Sequence, residues 1–263
     1  MPPITLLTDF GTRDPYVGAV RGVLASGAPG AVVHDITHEI PPQDVMEGAY
    51  VLRECYAMFP PGTVHLAVVD PGVGTERRAV ALDYGGPRFV GPDNGLFSLV
   101  LGGDDPDGLV VLDRPGAWRA PEIAPTFHGR DLFAPVAARL ATGAALSDVG
   151  TPGDPLRVLR WSQPIADDDS IRGSIVHVDR YGNAITNING AEVAARMAGR
   201  TLRTIAGGTI VRGLARTYGD REPGDPLVVV GSGGCVEVAV RGGHAADLLG
   251  LARGAGVTLV FSS

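Results

Sequence analysis

Four aspartates in this chain each close a short apolar run. Asp9 ends Ile-Thr-Leu-Leu-Thr, Asp35 ends Ala-Val-Val-His, Asp70 ends His-Leu-Ala-Val-Val and Asp179 ends Ile-Val-His-Val. Aspartate forms turns and caps readily, so the position alone assigns none of them a function. Their neighbours carry more information. Asp9-Phe10-Gly11-Thr12 opens a loop, and Asp70-Pro71-Gly72-Val73-Gly74-Thr75-Glu76-Arg77 is stiffened by its proline and freed by its glycines. Such a loop can bring backbone amides and an arginine to a small ligand. It lacks the G-x-G-x-x-G and G-x-x-x-x-G-K-[ST] patterns, which argues against nucleoside triphosphate chemistry. His128, in Phe127-His128-Gly129-Arg130-Asp131, has the side chain that titrates nearest neutrality and can act as acid, base or ligand. Tyr181-Gly182-Asn183 offers an aromatic face and an amide, a pairing suited to a purine. Spacing alone identifies no reaction.

The elements that must position these residues are legible in outline. A strand is expected at 4–8, then a helix capped by Asp14 with Pro15 at its first position and Val17, Val20 and Leu24 on one face. A strand at 31–35 precedes a second helix from Asp44, with Val45, Ala49, Leu52 and Tyr56 on one side. Strands follow at 63–69, 78–82, 88–90 and 108–112, and a third helix from Arg130 carries Leu132, Val136 and Leu140. This alternation predicts an α/β fold with a mostly parallel sheet and flanking helices over residues 1–155. Proline, glycine and the acidic triplet Asp167-Asp168-Asp169 mark residues 156–170 as a linker. Short β-rich runs at 171–178, 201–205, 227–230, 236–240 and 257–261, interrupted by a helical stretch at 191–197, predict a smaller β-barrel domain over 171–263.

Composition narrows the function classes. The chain has 263 residues, 44% hydrophobic and 19% charged, enough for packed cores. A net charge of −7 without a dense Lys/Arg cluster argues against a nucleic-acid partner. Cys55 and Cys235 are isolated, so no zinc or redox C-x-x-C pair exists and reduced thiols are expected. No cluster implies a metal. The N-terminus lacks a basic and apolar leader, and no apolar run reaches the roughly 18 residues that span a bilayer, so a cytoplasmic protein away from membranes is expected.

Taken as an ordered set, six segments become specific. Leu-Leu-Thr-Asp-Phe-Gly (6–11), Ile-Pro-Pro-Gln-Asp-Val (40–45), Val-Val-Asp-Pro-Gly-Val-Gly-Thr (68–75), Gly-Pro-Asp-Asn-Gly (91–95), Thr-Phe-His-Gly-Arg-Asp (126–131) and Asp-Arg-Tyr-Gly-Asn (179–183) together resemble the S-adenosyl-L-methionine hydroxide adenosyltransferase family, related to the fluorinase and chlorinase. The resemblance implies a homotrimer with active sites between neighbouring subunits and no cofactor, S-adenosyl-L-methionine being the substrate. Carried over by motif, it gives Asp9 the ribose hydroxyls and puts Gln43 near the ribose. Asp179, helped by Ser232, takes the ammonium of the amino acid. Asn183 reads the adenine, with Tyr181 and Tyr218 as aromatic contacts, and Phe127 is a further substrate-binding residue. The glycine-rich 231–235 and Val240-Arg241-Gly242 segments depart from the family's asparagine-bearing pattern.

Asp70, Arg77 and His128 would surround the nucleophile. Halogenases carry tyrosine where this chain has Asp70, and the fluorinase has Phe-Tyr-Ser where this chain has Phe127-His128-Gly129. A carboxylate repels halide, whereas carboxylate, guanidinium and imidazole can hold a water, so the resemblance implies hydrolysis to adenosine and L-methionine. The alternatives are a halogenase and a non-catalytic sensor of the same ligand. The proton acceptor stays open at this stage: pairing with arginine lowers a carboxylate's pKa by roughly 1–3 units, so that Asp70 orients the water and His128 accepts the proton, or else Arg77 stabilises a hydroxide; Arg78 is a second candidate for the arginine, though the family's spacing favours Arg77.

Overall fold

A computed structural model describes residues 1–159 and 163–262; residues 160–162, inside the expected linker, and residue 263 lie outside the described residues. The chain divides into two units, Met1–Leu159 and Arg160–Ser263.

The first unit is built on strands β1 (Ile4–Thr8), β2 (Val33–Thr37), β3 (Val64–Val68), β4 (Ala79–Asp83), β5 (Arg88–Pro92), β6 (Gly108–Val111) and β7 (Thr151–Pro152), in the order β2-β1-β3-β5-β4-β6-β7. The first four in that order run parallel, and β4, β6 and β7 extend the sheet antiparallel. Alternation along the strands feeds two cores. Ile4, Leu6, Val64 and Leu66 pack with Val20 and Leu24 of α1 (Tyr16–Gly27) and Val136 and Leu140 further along the chain, while Leu7, Ala67 and Val69 pack with Ala49 and Leu52 of α2 (Val45–Cys55). The helices beyond are α3 (Ser98–Leu101), α4 (Ala134–Ala141) and α5 (Leu146–Val149).

Several boundaries differ from expectation. Helix α1 starts at Tyr16 with Pro15 as its uncapped N-cap, not with Asp14, because no side chain there accepts a first-turn N–H. Asp44 does cap α2, accepting from Glu47 N at 3.0 Å. The third helix opens as a π-helical turn over Gly129–Phe133 before α4, a local widening that is common at functional sites.

The second unit holds β8 (Ile165–Ala166), β9 (Ser170–Val178), β10 (Ala184–Asn189), β11 (Thr201–Ala206), β12 (Thr209–Arg212), β13 (Pro226–Val230), β14 (Cys235–Val240) and β15 (Gly256–Ser262), with α6 (Gly190–Arg196) and α7 (Ala245–Leu249). Its strand order, β12-β11-β15-β9-β10-β14-β13, is antiparallel throughout. Just past β12, Ala215 bridges Val229 of β13, which nearly closes the sheet into the expected barrel. Strand β10, absent from the sequence reading, is the partner that β9 and β14 share.

Candidate active site

The parallel strands β2, β1, β3 and β5 end together, and the loops beyond their carboxyl ends gather the chemistry, as open α/β sheets generally arrange it. Asp70 leaves β3 into the Pro-Gly loop. Tight turns fold that loop back: Val73 N reaches Asp70 O at 3.2 Å, Thr75 N reaches Gly72 O at 3.2 Å, and Arg77 N reaches Thr75 Oγ1 at 3.3 Å. Arg77 therefore returns beside Asp70. Its Nε and Nη2 donate to the two carboxylate oxygens at 3.0 and 2.5 Å. Both side chains are 5% exposed.

Arg77 Nη2 also lies 3.0 Å from His128 Nδ1. A guanidinium only donates, so Nδ1 must be the unprotonated nitrogen and Nε2 carries the proton. Burial, then the Arg77 charge, lowers the His128 pKa against the pull of Asp70 and Asp131, so the imidazole is neutral near pH 7. Burial raises the pKa of Asp70, outweighing the opposing charge and hydrogen bonds of Arg77. Burial thus opposes the lowering that arginine pairing alone would give. Arg77 Nη1 is buried without a partner among the described residues.

Neighbouring loops brace this group. Asn94 Nδ2 donates to Val69 O at 2.8 Å and fixes the strand end that presents Asp70. Gly74, at φ +77°, lets the Pro-Gly loop approach the backbone before His128, where a Cβ would meet Pro125 O at 2.5 Å. Asp131 ties Arg119, Arg130 and Ala124 N around the π-helical turn, and these contacts hold its pKa far below the usual carboxylate range. Arg78, the second arginine candidate, is committed elsewhere. It pairs with Asp93 at 2.5 Å and donates to Asp154 O and Pro155 O at 3.0 and 2.7 Å. Arg157 N reaches the same Asp93 at 2.8 Å, so Arg78 and Asp93 fasten residues 154–157 to the rest of the first unit.

Asp9 and Gln43 are also brought together, through the backbone: Gln43 N donates to Asp9 Oδ2 at 2.7 Å while the Gln43 residue is exposed and held at φ +66°. Phe127 packs edge-on against Phe10 and Tyr16, with centroids 5.9 and 5.2 Å away, and Arg130 lies over its ring at 5.0 Å. A Cβ on Gly129 would stand 3.2 Å from Phe10, so the Asp9 and His128 loops are packed together.

In the second unit, Asp179 organises the β9–β10 turn. Its Oδ1 accepts from Tyr181 N and Asn183 N at 2.9 and 2.8 Å, and its Oδ2 accepts from Asn183 Nδ2 at 2.9 Å. Asn183 is buried and Tyr181 is 77% exposed. Tyr218 donates to Glu237 Oε2 at 2.8 Å; burial, this bond and the nearby charges of Glu237 and Asp179 push its pKa up to about 12. Ser232 is exposed at the β13–β14 turn, next to Gly231, where a Cβ would strike Glu237. Sequence reasoning missed Glu237, although a lone carboxylate inside Cys-Val-Glu-Val-Ala-Val was a visible signal. It also missed Asn94 as a brace. Among the described residues, no group of three or more His, Cys, Asp or Glu side chains could hold a metal, and no helix is long and apolar enough to cross a membrane.

Residues 4–150 match the N-terminal domain of SAM hydroxide adenosyltransferases, and residues 173–258 match their C-terminal domain. A protein of Salinispora arenicola named (R)-S-adenosyl-L-methionine hydrolase is 46% identical over 258 residues, covering 96% of this chain and 95% of its own. A Thermus thermophilus protein of the same name is 43% identical, covering 99% and 100%. A fluorinase of Actinoplanes sp. is 28% identical over 98% and 97%. The crystal structure of an uncharacterized conserved protein from Thermotoga maritima superposes with a TM-score of 0.92 at 33% identity, covering 98% and 99% of the two chains. The chain belongs to the SAM hydroxide adenosyltransferase family.

Proposed function

We propose that this chain hydrolyses S-adenosyl-L-methionine to adenosine and L-methionine, with Asp70, Arg77 and His128 around the attacking water. The observation that carries the reading is the contact of one buried arginine with both Asp70 and His128. A halide would lie against the Asp70 carboxylate, whereas a water can donate to it and accept from Arg77 Nη1 or His128 Nε2. The hydrolase names of the relatives at 43–46% identity, against 28% for the fluorinase, agree.

In this mechanism the water oxygen attacks C5′ in line with the sulfonium. The C5′–S bond breaks, its electron pair stays on sulfur, and neutral methionine leaves. The enzyme supplies alignment and a nucleophile stripped of bulk solvent. Asp70 takes the water proton, because burial raises its basicity while the one lone pair of neutral His128 already faces Arg77. His128 then donates from Nε2 and holds the guanidinium in place.

The remaining assignments belong to the same proposal. Asp9 takes the ribose hydroxyls with Gln43 and Phe127 beside it; Asp179 and Ser232 take the amino acid, and Asn183, Tyr181 and Tyr218 the adenine. No cofactor enters. We place the enzyme in the cytoplasm as a homotrimer with active sites between neighbouring subunits. Incubation with substrate in ¹⁸O-water, with chloride or fluoride present, tests the reading: labelled adenosine and methionine are expected, from the (R) sulfonium epimer that the relatives' names specify. A 5′-halogenated nucleoside, or binding without turnover, overturns it.

A further inference from the structure

Behind Asp9 lies a chain of polar contacts that takes no part in the chemistry above. Phe10 N donates to Thr8 Oγ1 at 3.3 Å, and Thr8 Oγ1 lies 2.9 Å from His38 Nδ1. His38 Nε2 sits 3.1 Å from Asp35 Oδ1, a charge contact rather than an aligned hydrogen bond, and a carboxylate attracts an N–H. With the imidazole proton on Nε2, Nδ1 accepts from the Thr8 hydroxyl. Asp35 in turn accepts from Arg21 Nη2 of α1, with both oxygens at 2.7 Å. Thr8 is 1% and His38 5% exposed. The hydroxyl, imidazole and carboxylate follow the order of a nucleophilic triad, but a hydroxyl so enclosed has no approach for a substrate.

What the chain holds is the β1–α1 loop. Besides the Thr8 contact, His38 O accepts from Gly11 N at 2.8 Å, so one residue grips the loop on both sides of Asp9. Five residues further on, Gln43 N fixes Asp9 Oδ2, which leaves Oδ1 for a ligand. We infer that His38 is a positioning residue for Asp9, oriented by Asp35 and Arg21, and that it sets affinity for the ribose of the substrate. The inference rests on the ribose role proposed for Asp9.

The test separates positioning from simple structural support. His38→Ala raises KM for S-adenosyl-L-methionine and the Kd for adenosine in parallel, by roughly 10-fold or more, while kcat stays within about threefold, since the water-holding group is untouched. His38→Asn places an amide oxygen near the Nδ1 position and restores most of both affinities. Asp35→Asn, which removes the orienting charge, raises KM by a smaller factor. If the His38 variants melt lower yet keep wild-type KM and adenosine Kd, or if His38→Asn rescues nothing, the inference is wrong. If wild-type protein binds adenosine but releases none from substrate, the functional proposal fails instead, and the adenosine titrations still test His38.

Discussion

At the residue scale, the guanidinium of Arg77 decides the proton inventory of the site. It spends two donors on Asp70 and directs the second of these at His128 as well, so the imidazole cannot accept a proton without losing that contact. Asp70→Asn is therefore expected to lower kcat by about 10²–10⁴-fold, the span typical of general-base removal, with a much smaller change in KM. Wild-type kcat in the variant would remove Asp70 from the mechanism. The pH profile carries a second prediction. Activity requires Asp70 ionised and His128 neutral, so both groups cut kcat/KM as pH falls. The Asp70 pKa is raised from its ordinary 3.8 and that of His128 is lowered from 6.5, which moves the two transitions towards each other. The acid limb should approach a slope of two in wild type. In His128→Asn, whose amide oxygen can still accept from Arg77, it should fall to one. An unchanged slope would mean that His128 does not titrate in the free enzyme.

At the element scale, geometry rests on close approaches that only glycine permits. Gly74→Ala forces a Cβ against Pro125 O and strains a φ of +77°, so the Pro-Gly loop and the segment before His128 must part. We expect kcat to drop by about 10²-fold, as small misplacements of reacting groups can cause, with a modest fall in melting temperature. Retained kcat would show that the loop contact does not set the Arg77–His128 distance.

A different element carries an acid sensitivity. His65 of β3 is fully buried, bonds Thr5 of β1 at 2.8 Å, stacks on Phe89 and leaves Nε2 without a partner among the described residues. Desolvation lowers its pKa from 6.5 to about 4. Between those values the unfolded chain binds the proton and the folded one does not, so stability is lost as pH falls from 6.5 towards 4. At about 1.4 kcal/mol per pH unit, the loss is on the order of 3 kcal/mol. Calorimetry of wild type and of Thr5→Val/His65→Leu across that window should show the slope removed in the double variant; equal slopes would refute the assignment.

The strand ends and helices of the first unit were legible because apolar periodicity reports them directly. Strand β10 was not. Its Ala-Ile-Thr-Asn-Ile-Asn carries three polar residues, and all three answer to backbone groups: Thr186 donates to Val236 O, Asn187 accepts from Ser174 N and Asn189 accepts from Ala191 N. Local propensity does not register such partners. The Arg77–Arg78 ambiguity had the same origin, since only tertiary structure shows Arg78 engaged with Asp93 and with the carbonyls of residues 154 and 155. Motifs singled out the candidate residues, while the hydrogen bonds of His128 came only with the fold.

At the scale of the whole molecule, the assigned residues fall into two sets on separate units: Asp9, Asp70, Arg77 and His128 in Met1–Leu159, and Asp179, Asn183, Tyr218 and Ser232 in Arg160–Ser263. In the proposed trimer each active site takes the two sets from different subunits, and a mixing experiment distinguishes that arrangement from any other. Asp70→Asn disables only the first set, and Asp179→Ala only the second. Neither homotrimer should turn over substrate at an appreciable rate. When the two chains are co-expressed with different tags and purified through both, some sites receive an intact first set from the Asp179→Ala chain and an intact second set from the Asp70→Asn chain. Activity should reappear at roughly a third of wild type, one good site in three, as expected for a closed cyclic ring. Light scattering should give about 82 kDa, three copies of a 27.2 kDa chain. If both sets came from a single subunit, every site in the mixture would keep one defect. Co-expression would then restore nothing, and the placement of the sites between subunits would be wrong even with the hydrolase assignment intact.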